Sequence, residues 1–104
     1  MGFWRAVDGL ELGEFRPGVQ SRAEIGQGLV MACLEIAPGR EDAGHQHPFE
    51  QCGLVVAGRI EMTIGAERRV LEAQDAYFIP AGVTHGWKTF DQPARILDVC
   101  AKPA

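Results

Sequence analysis

The sequence is most informative at Gly39-Arg40-Glu41-Asp42-Ala43-Gly44-His45-Gln46-His47-Pro48-Phe49-Glu50-Gln51, where two histidines stand two residues apart. The third histidine of the chain closes a second segment, Pro80-Ala81-Gly82-Val83-Thr84-His85. A lone histidine in a small domain is more often a core or surface residue than a ligand. Three histidines with this spacing instead predict a metal site.

Strand geometry predicts how these side chains converge. Residues two apart on a strand face the same side, so His45 and His47 would point to one place, and Gln51 keeps that parity. His85, brought in by a later strand after the Pro-Ala-Gly turn, would add a third imidazole. Three nitrogens and one oxygen suit one divalent transition metal, and such ligands accept Mn, Fe, Co, Ni, Cu or Zn.

The oxygen ligand has an alternative. A bulge at Pro48 would bring Glu50 to the metal instead, or Gln51 would be a structural hydrogen-bonding residue. Strand parity favours Gln51. A carboxamide adds no negative charge to the cation, which would leave the metal a stronger Lewis acid and favour an anionic substrate.

Short β-type runs lie on both sides of the histidine segments. Residues 59–64 alternate polar and apolar side chains, which predicts a strand with Ile60, Met62 and Ile64 on its inward face. Residues 52–56 predict a buried strand, and Ala57-Gly58 would join the two strands as a hairpin. Further strands are predicted at residues 29–36, 68–72, 75–79, 85–90 and 94–101.

Residues 1–28 are apolar at many positions, but Gly and Pro interrupt any period. We expect one or two short edge strands there, covering a neighbouring subunit in a homodimer. The chain shows no internal repeat or linker, so we predict a single domain over residues 1–104 with about eight to ten strands.

Composition excludes several classes of protein. A length of 104 residues allows one compact domain, and 13 Gly and 6 Pro favour turns over long helices. The net charge of -4, with cations scattered along the chain, disfavours nucleic acid or an anionic membrane as partner. The longest apolar run, residues 29–34, is far shorter than the ~20 residues that cross a bilayer.

The start of the chain and the cysteines bear on location. The first six residues lack the basic segment, apolar core and cleavage site of a secretion signal, so we expect a cytoplasmic protein. Cys33, Cys52 and Cys100 are odd in number and form no C-x-x-C pair, which predicts buried or half-buried free thiols.

The segment of residues 39–58 resembles the first conserved motif of the cupin family. The positions in register with that motif are Gly39, His45, His47, Gln51 and Gly58. Gln51 stands where the motif commonly has Glu.

The segment of residues 74–89 is similar to the second cupin motif through Pro80, Gly82 and His85, with Gln74 and Thr89 in place of its outer Gly and Asn. The resemblance implies an all-β fold, a double-stranded β-helix or jelly-roll barrel, often dimeric, with the metal inside the barrel.

Within the family, His45-Gln46-His47-Pro48-Phe49-Glu50-Gln51 is most similar to small single-domain cupins with a Gln ligand, among them pectin-degradation cupins that act on unsaturated uronates. On this resemblance Asp98, on the closing strand, is the candidate general base. Cys100 stands where those proteins have an aromatic residue, and no Arg follows it. Without the resemblance, Asp98 is equally well explained as a solvated edge residue or an ion-pair partner of Arg59 or Arg95.

Four other side chains are candidates near the site. Trp87 shares its strand face with His85 and would either roof a substrate pocket or pack in the core. Phe49 is divided in the same way between pocket wall and core. Tyr77 and Arg59 could anchor a substrate carboxylate or hydroxyl, but each alternates with apolar residues, so we expect both on the outer face.

These observations predict a metal-dependent enzyme that moves a proton within a small, anionic sugar acid or hydroxy-carbonyl compound by ring opening, tautomerisation or isomerisation. Two alternatives stay open: a non-catalytic metal-dependent module that binds or senses a small molecule, and an Fe(II)-dependent dioxygenase. A third possibility is a structural protein with an empty barrel.

Overall fold

The computed structural model describes residues 2–102, which form ten strands and a short 3-10 helix at Val7–Gly9. The strands are β1 (Gly13–Arg16), β2 (Val19–Ile25), β3 (Leu29–Ile36), β4 (Glu41–His45), β5 (Gln51–Ala57), β6 (Ile60–Ile64), β7 (Glu67–Leu71), β8 (Ala76–Ile79), β9 (His85–Thr89) and β10 (Ala94–Ala101).

The strands are arranged in two antiparallel sheets. Six strands form one sheet in the order β1-β2-β3-β10-β5-β8, and four form the other in the order β4-β9-β6-β7. Neighbours in both sheets are mostly distant in sequence, as β10 between β3 and β5 shows. The predicted all-β jelly-roll barrel is confirmed.

The core lies between the two sheets, because strands of both sheets contribute buried side chains to it. Ile60 and Met62 on β6 face inward, as their alternation predicts. The buried residues that pack together are Ile36, Val55, Ile60, Met62, Tyr77, Ile79, Ala94 and Ile96. This interior supports the histidine-bearing strand ends described below.

The predicted hairpin between residues 52–56 and 59–64 is wrong. β5 pairs with β8 and β10, whereas β6 pairs with β7 and β9, so the Ala57-Gly58 connection passes from one sheet to the other. Gly58 has a φ of 80°, and a Cβ at this position would collide with the Pro93 carbonyl oxygen. The glycine therefore serves a crossing between sheets, which needs the same backbone freedom as a tight turn.

The strand predictions otherwise agree with the structure to within one residue at each end. Residues 29–36 and 94–101 have the predicted bounds. Within residues 2–28 two strands form, but only β1 lies at an edge, because β2 pairs with β1 and β3. The homodimer interface and the single domain over residues 1–104 stay predictions, and residues 1, 103 and 104 lie outside the described part of the chain.

The cysteines and the membrane question can be answered for residues 2–102. Cys33 is buried, Cys52 and Cys100 are half-buried, and all three are free thiols, as predicted. Over the same residues no helix has the length and apolar character needed to span a bilayer.

Candidate metal centre

The three histidines meet at one end of the barrel. His45 is the last residue of β4 and His85 the first of β9, and the two are partners in the ladder between these strands. His47 lies in the loop that leads from β4 to β5, and Gln51 begins β5 in the other sheet. The candidate site therefore draws residues from both sheets and from the loop between them.

The distances between the imidazoles are those of a cluster that could hold an ion. One ligand atom from each of His45, His47 and His85 lies within 4.8 Å of the others. The ring centroids of His45 and His85 are 4.3 Å apart, and those of His47 and His85 are 4.8 Å apart. His85 is buried, whereas His47 is half-buried and His45 exposed.

Nδ1 of each histidine lies within hydrogen-bond distance of an oxygen that can only accept. His85 Nδ1 lies 3.0 Å from the Val83 carbonyl oxygen, and His47 Nδ1 lies 3.1 Å from the Phe49 carbonyl oxygen. His45 Nδ1 lies 3.0 Å from a carboxylate oxygen of Asp42. A proton on Nδ1 leaves the lone pair of each ring on Nε2, as in metal-binding histidines held by an outer hydrogen bond.

His85 Nε2 is buried and has no hydrogen-bond partner in the described part of the chain. A buried polar atom without a partner costs about 1 to 3 kcal/mol. Such an atom, aimed at two other imidazoles, fits a divalent cation as its missing partner.

Gln51 presents its carboxamide oxygen to the same cluster. Its Nε2 donates to Asp98 Oδ2 at 2.8 Å, so its Oε1 is the atom 2.9 Å from His47 Nε2. Both nitrogens of His47 therefore face oxygens that can only accept, and a neutral imidazole has one proton for the two contacts. A cation bound to both Nε2 and Oε1, with the His47 proton on Nδ1, would satisfy every contact, which makes the donor set compatible with a metal.

The reasoning that predicted this convergence was partly wrong. Only His45 and Gln51 are on strands, and the chain between them turns through a loop, so strand parity does not align His47 with them. Loop hydrogen bonds orient His47 instead. Glu50, the alternative ligand, is exposed. Its backbone carbonyl accepts a hydrogen bond from the Ala101 N–H.

Asp98 is on the inner face of β10 and is only 5% exposed. Its carboxylate accepts hydrogen bonds from Gln51 and from the Tyr77 hydroxyl. Burial raises the pKa of the Asp98 carboxyl, and these hydrogen bonds and the nearby His85 and His47 partly oppose the rise.

Asp98 is not an ion-pair partner of either arginine. Arg95 pairs with Glu35 at 3.0 Å on the outer side of the sheet, and the Arg59 guanidinium lies over the Phe90 ring. The expected outer position of Arg59 agrees with its exposure.

The expected outer position of Tyr77 is wrong. Tyr77 is 7% exposed and points into the barrel with Ile79, while Phe78 is 56% exposed. Burial, and then the charge and hydrogen bond of Asp98, raise the pKa of Tyr77 far above its ordinary value. The alternation of β8 is ambiguous because both of its faces carry apolar residues, so only partner strands decide which face is inside.

A cavity of about 100 Å³ extends from His45 and His85 between the sheets. Trp87 lines it and also packs against the core cluster. Phe49 is not among its lining residues but stacks on His47, with ring centroids 3.9 Å apart and planes within 4°. The lining residues are Phe15, Arg16, Val19, Leu34, Ile36, His45, Gln51, Met62, Tyr77, Ile79, His85, Trp87 and Ile96.

Phe15 and Arg16 also line this cavity, and no sequence motif points to them as site residues. The ladder between β1 and β2 shifts register between Glu14 and Arg16, as a bulge does. Bulges redirect side chains, and this one allows both residues to border the cavity. A motif search overlooks them, because the pairing of strands brings them to the site.

An antiparallel jelly roll with three histidines at one end of the barrel defines the cupin class of protein. The family comparison agrees, since the Cupin_2 family (cupin domain) matches residues 32–100. This chain belongs to that family.

Several characterised proteins are similar to the chain. The pectin degradation protein KdgF of Dickeya dadantii is 31% identical over 71 residues, which cover 67% of this chain and 64% of that protein. The H2HPP isomerase of Bacillus subtilis is 30% identical over 88 residues, 83% of this chain and 37% of that protein. The chain thus spans less than two thirds of the length of either relative.

A solved structure confirms the fold over the whole length. KdgF from Halomonas sp. superposes with a TM-score of 0.83, covering 100% of this chain and 96% of that one, at 24% sequence identity. At this level of identity, the similarity shows a shared fold.

Proposed function

We propose that this cupin binds one divalent transition metal through Nε2 of His45, His47 and His85 and Oε1 of Gln51. The observation that carries the proposal is the shared orientation of the imidazoles: every Nδ1 faces an oxygen acceptor, and the buried His85 Nε2 has no partner among the described residues. Such an arrangement is expected of a prearranged ligand set and is costly without an ion.

We further propose that the protein transfers a proton within a small organic substrate. A divalent metal in this site would supply Lewis acidity, which acidifies protons next to an oxygen that it polarises. Asp98 would take such a proton and return it to another atom of the same molecule, so that the net reaction is an isomerisation, tautomerisation or ring opening. Asp98 is suited to this role by its position, since it is buried and hydrogen-bonded to the proposed ligand Gln51.

The residues that line the cavity favour a small anionic substrate, such as a sugar acid or a related hydroxy-carbonyl compound. Among the described residues that line it, Arg16 alone carries a permanent positive charge. Trp87 offers an aromatic wall against which a sugar or ring can pack. The names of two relatives, a pectin degradation protein and an isomerase, agree with this class of reaction.

Metal content tests the ligand set. Protein purified without a metal-affinity tag should carry about one divalent ion per chain by elemental analysis, and His47→Ala should lose most of it. Gln46→Ala, which changes the exposed residue between the two histidines, is the matched control and should keep the metal. Full metal retention in His47→Ala would contradict the proposal.

Deuterium incorporation tests the reaction. In D2O the metal-loaded protein should move deuterium into a responsive sugar acid, detected by NMR. Asp98→Asn, assayed at a metal concentration that saturates its site, should slow this at least about 100-fold. Metal-dependent binding without incorporation in either form would favour a binding module. Oxygen consumption by the Fe(II)-loaded protein would favour a dioxygenase.

A further inference from the structure

Tyr77, Gly53 and Asp98 form one row across three neighbouring strands. Gly53 of β5 is the register partner of Tyr77 on β8 and of Asp98 on β10. The middle residue of the row thus has no side chain, and a Cβ there would collide with the Tyr77 ring and hydroxyl. The Tyr77 side chain lies across Gly53, and its hydroxyl reaches the Asp98 carboxylate.

Both side-chain hydrogen bonds to Asp98 fall on the same oxygen atom. Tyr77 and Gln51 each donate to Oδ2. A phenolic hydroxyl has one proton to donate, and that of Tyr77 is directed to Asp98. Oδ2 is therefore held in place while it accepts the Gln51 amide.

The orientation of the Gln51 amide has a competing alternative. If the amide flipped, its Nε2 would donate to the lone pair of His47 Nε2, which is a good hydrogen bond in the metal-free protein. That flip would replace the oxygen ligand with N–H groups and would occupy a histidine lone pair. Asp98 opposes the flip because its carboxylate can accept a hydrogen bond from the amide nitrogen but can donate none to the amide oxygen. This effect requires that Oδ2 stays within hydrogen-bond distance of Gln51 Nε2.

We propose that Tyr77 is a positioning residue that acts through Asp98 to hold the Gln51 carboxamide oxygen toward the three histidines. This role rests on the proposed metal site and adds to it a residue outside the ligand set. The absence of a side chain at Gly53 is part of the same device, since it gives the Tyr77 ring its path across β5.

A double-mutant cycle in Ni(II) titrations tests the proposal. By calorimetry, Tyr77→Phe should weaken Ni(II) binding about tenfold, and the same change made in a Gln51→Ala background should have no further effect. Gly53→Ala, which displaces the hydroxyl without removing it, is a second variant and should show the same dependence on Gln51.

Thr89→Val is the matched control for losing a buried hydroxyl. Thr89 is 2% exposed and donates to the Ala37 carbonyl at the far end of β9 from His85, so this variant should bind Ni(II) like the wild type. The positioning role alone would be overturned if Tyr77→Phe weakened Ni(II) binding equally in the wild-type and Gln51→Ala backgrounds. It would also be overturned if Tyr77→Phe did not weaken Ni(II) binding in the wild-type background. Failure of the wild-type protein to bind Ni(II) would overturn the metal site as well.

Discussion

At the scale of single residues, three outward contacts of Nδ1 turn the Nε2 atoms of the histidines toward one another. The acceptors differ in kind: backbone carbonyls for His47 and His85, and the Asp42 carboxylate for His45. The two carbonyls belong to residues two positions from their histidine, so local backbone turns set these two rings. The hydrogen bond to Asp42 instead depends on a side chain near the surface.

Arg16 is expected to govern affinity for anionic ligands without affecting the metal. Arg16→Gln should raise the KM, or the Kd of a bound sugar acid, about tenfold, because one charge-assisted contact at a partly exposed site contributes about 1.5 kcal/mol. Arg22→Gln, an exposed arginine on β2 that lies over Trp4, is the control. Equal effects of the two changes would show that only overall charge matters.

Gly53→Ala should also destabilise the fold. The new Cβ would meet the Leu97 carbonyl oxygen as well as Tyr77, so backbone must shift, at a cost of about 1 to 3 kcal/mol. Urea unfolding followed by circular dichroism measures the loss. Gly13→Ala, in β1 with no atom near its Cβ, should unfold within about 0.5 kcal/mol of the wild type.

At the scale of elements, the pairing of β4 with β9 brings His45 to His85. The two strands approach closely where Gly86 faces β4. A Cβ at Gly86 would collide with the Asp42 carbonyl oxygen, so this approach requires a glycine. The register of this ladder shifts between Asp42 and His45, which is how His45 comes opposite His85. The bulge and the glycine together set the distance between the two imidazoles.

Gly86→Ala is therefore expected to damage metal binding as well as the fold. Pushing β4 away from β9 should weaken Ni(II) affinity at least about tenfold, since ligand placement is sensitive to small shifts. Lys88→Ala, an exposed position on the same strand, should bind Ni(II) normally. Normal affinity in Gly86→Ala would show that β4 has room to adjust.

At the scale of the whole molecule, the candidate ligands join the two sheets. His45 and His85 belong to the four-stranded sheet, and Gln51 to the six-stranded sheet. An ion held by all of them would connect the sheets at one end of the barrel. It would bind the folded chain in preference to the unfolded one, because unfolding separates the ligands.

Metal removal should accordingly lower thermal stability. At free metal a hundredfold above its Kd, binding adds about 2.7 kcal/mol, which corresponds to about 10 °C in Tm for a chain of this size. Calorimetric scans with and without chelator measure the difference. His47→Ala should show no such difference. If chelator left the Tm of the wild type unchanged, a metal that joins the two sheets would be contradicted.

Much of the fold was predictable from alternation and turn residues, because these are local properties. The strand at residues 29–36 and the inward face of β6 are examples. The hairpin at Gly58 and the outer position of Tyr77 were wrong for a shared reason. A local pattern indicates a turn or a strand, but it does not say which strands become neighbours.

The amino-acid sequence by itself determined the class of fold, the three histidines and the identity of Gln51 and Asp98 as candidates, since motif spacing and alternation are written along the chain. Only the tertiary structure decided that Tyr77 reaches Asp98 across Gly53 and that Arg16 borders the cavity. The physical reason is that these contacts join strands distant in sequence, whose register depends on how both sheets pack around one core.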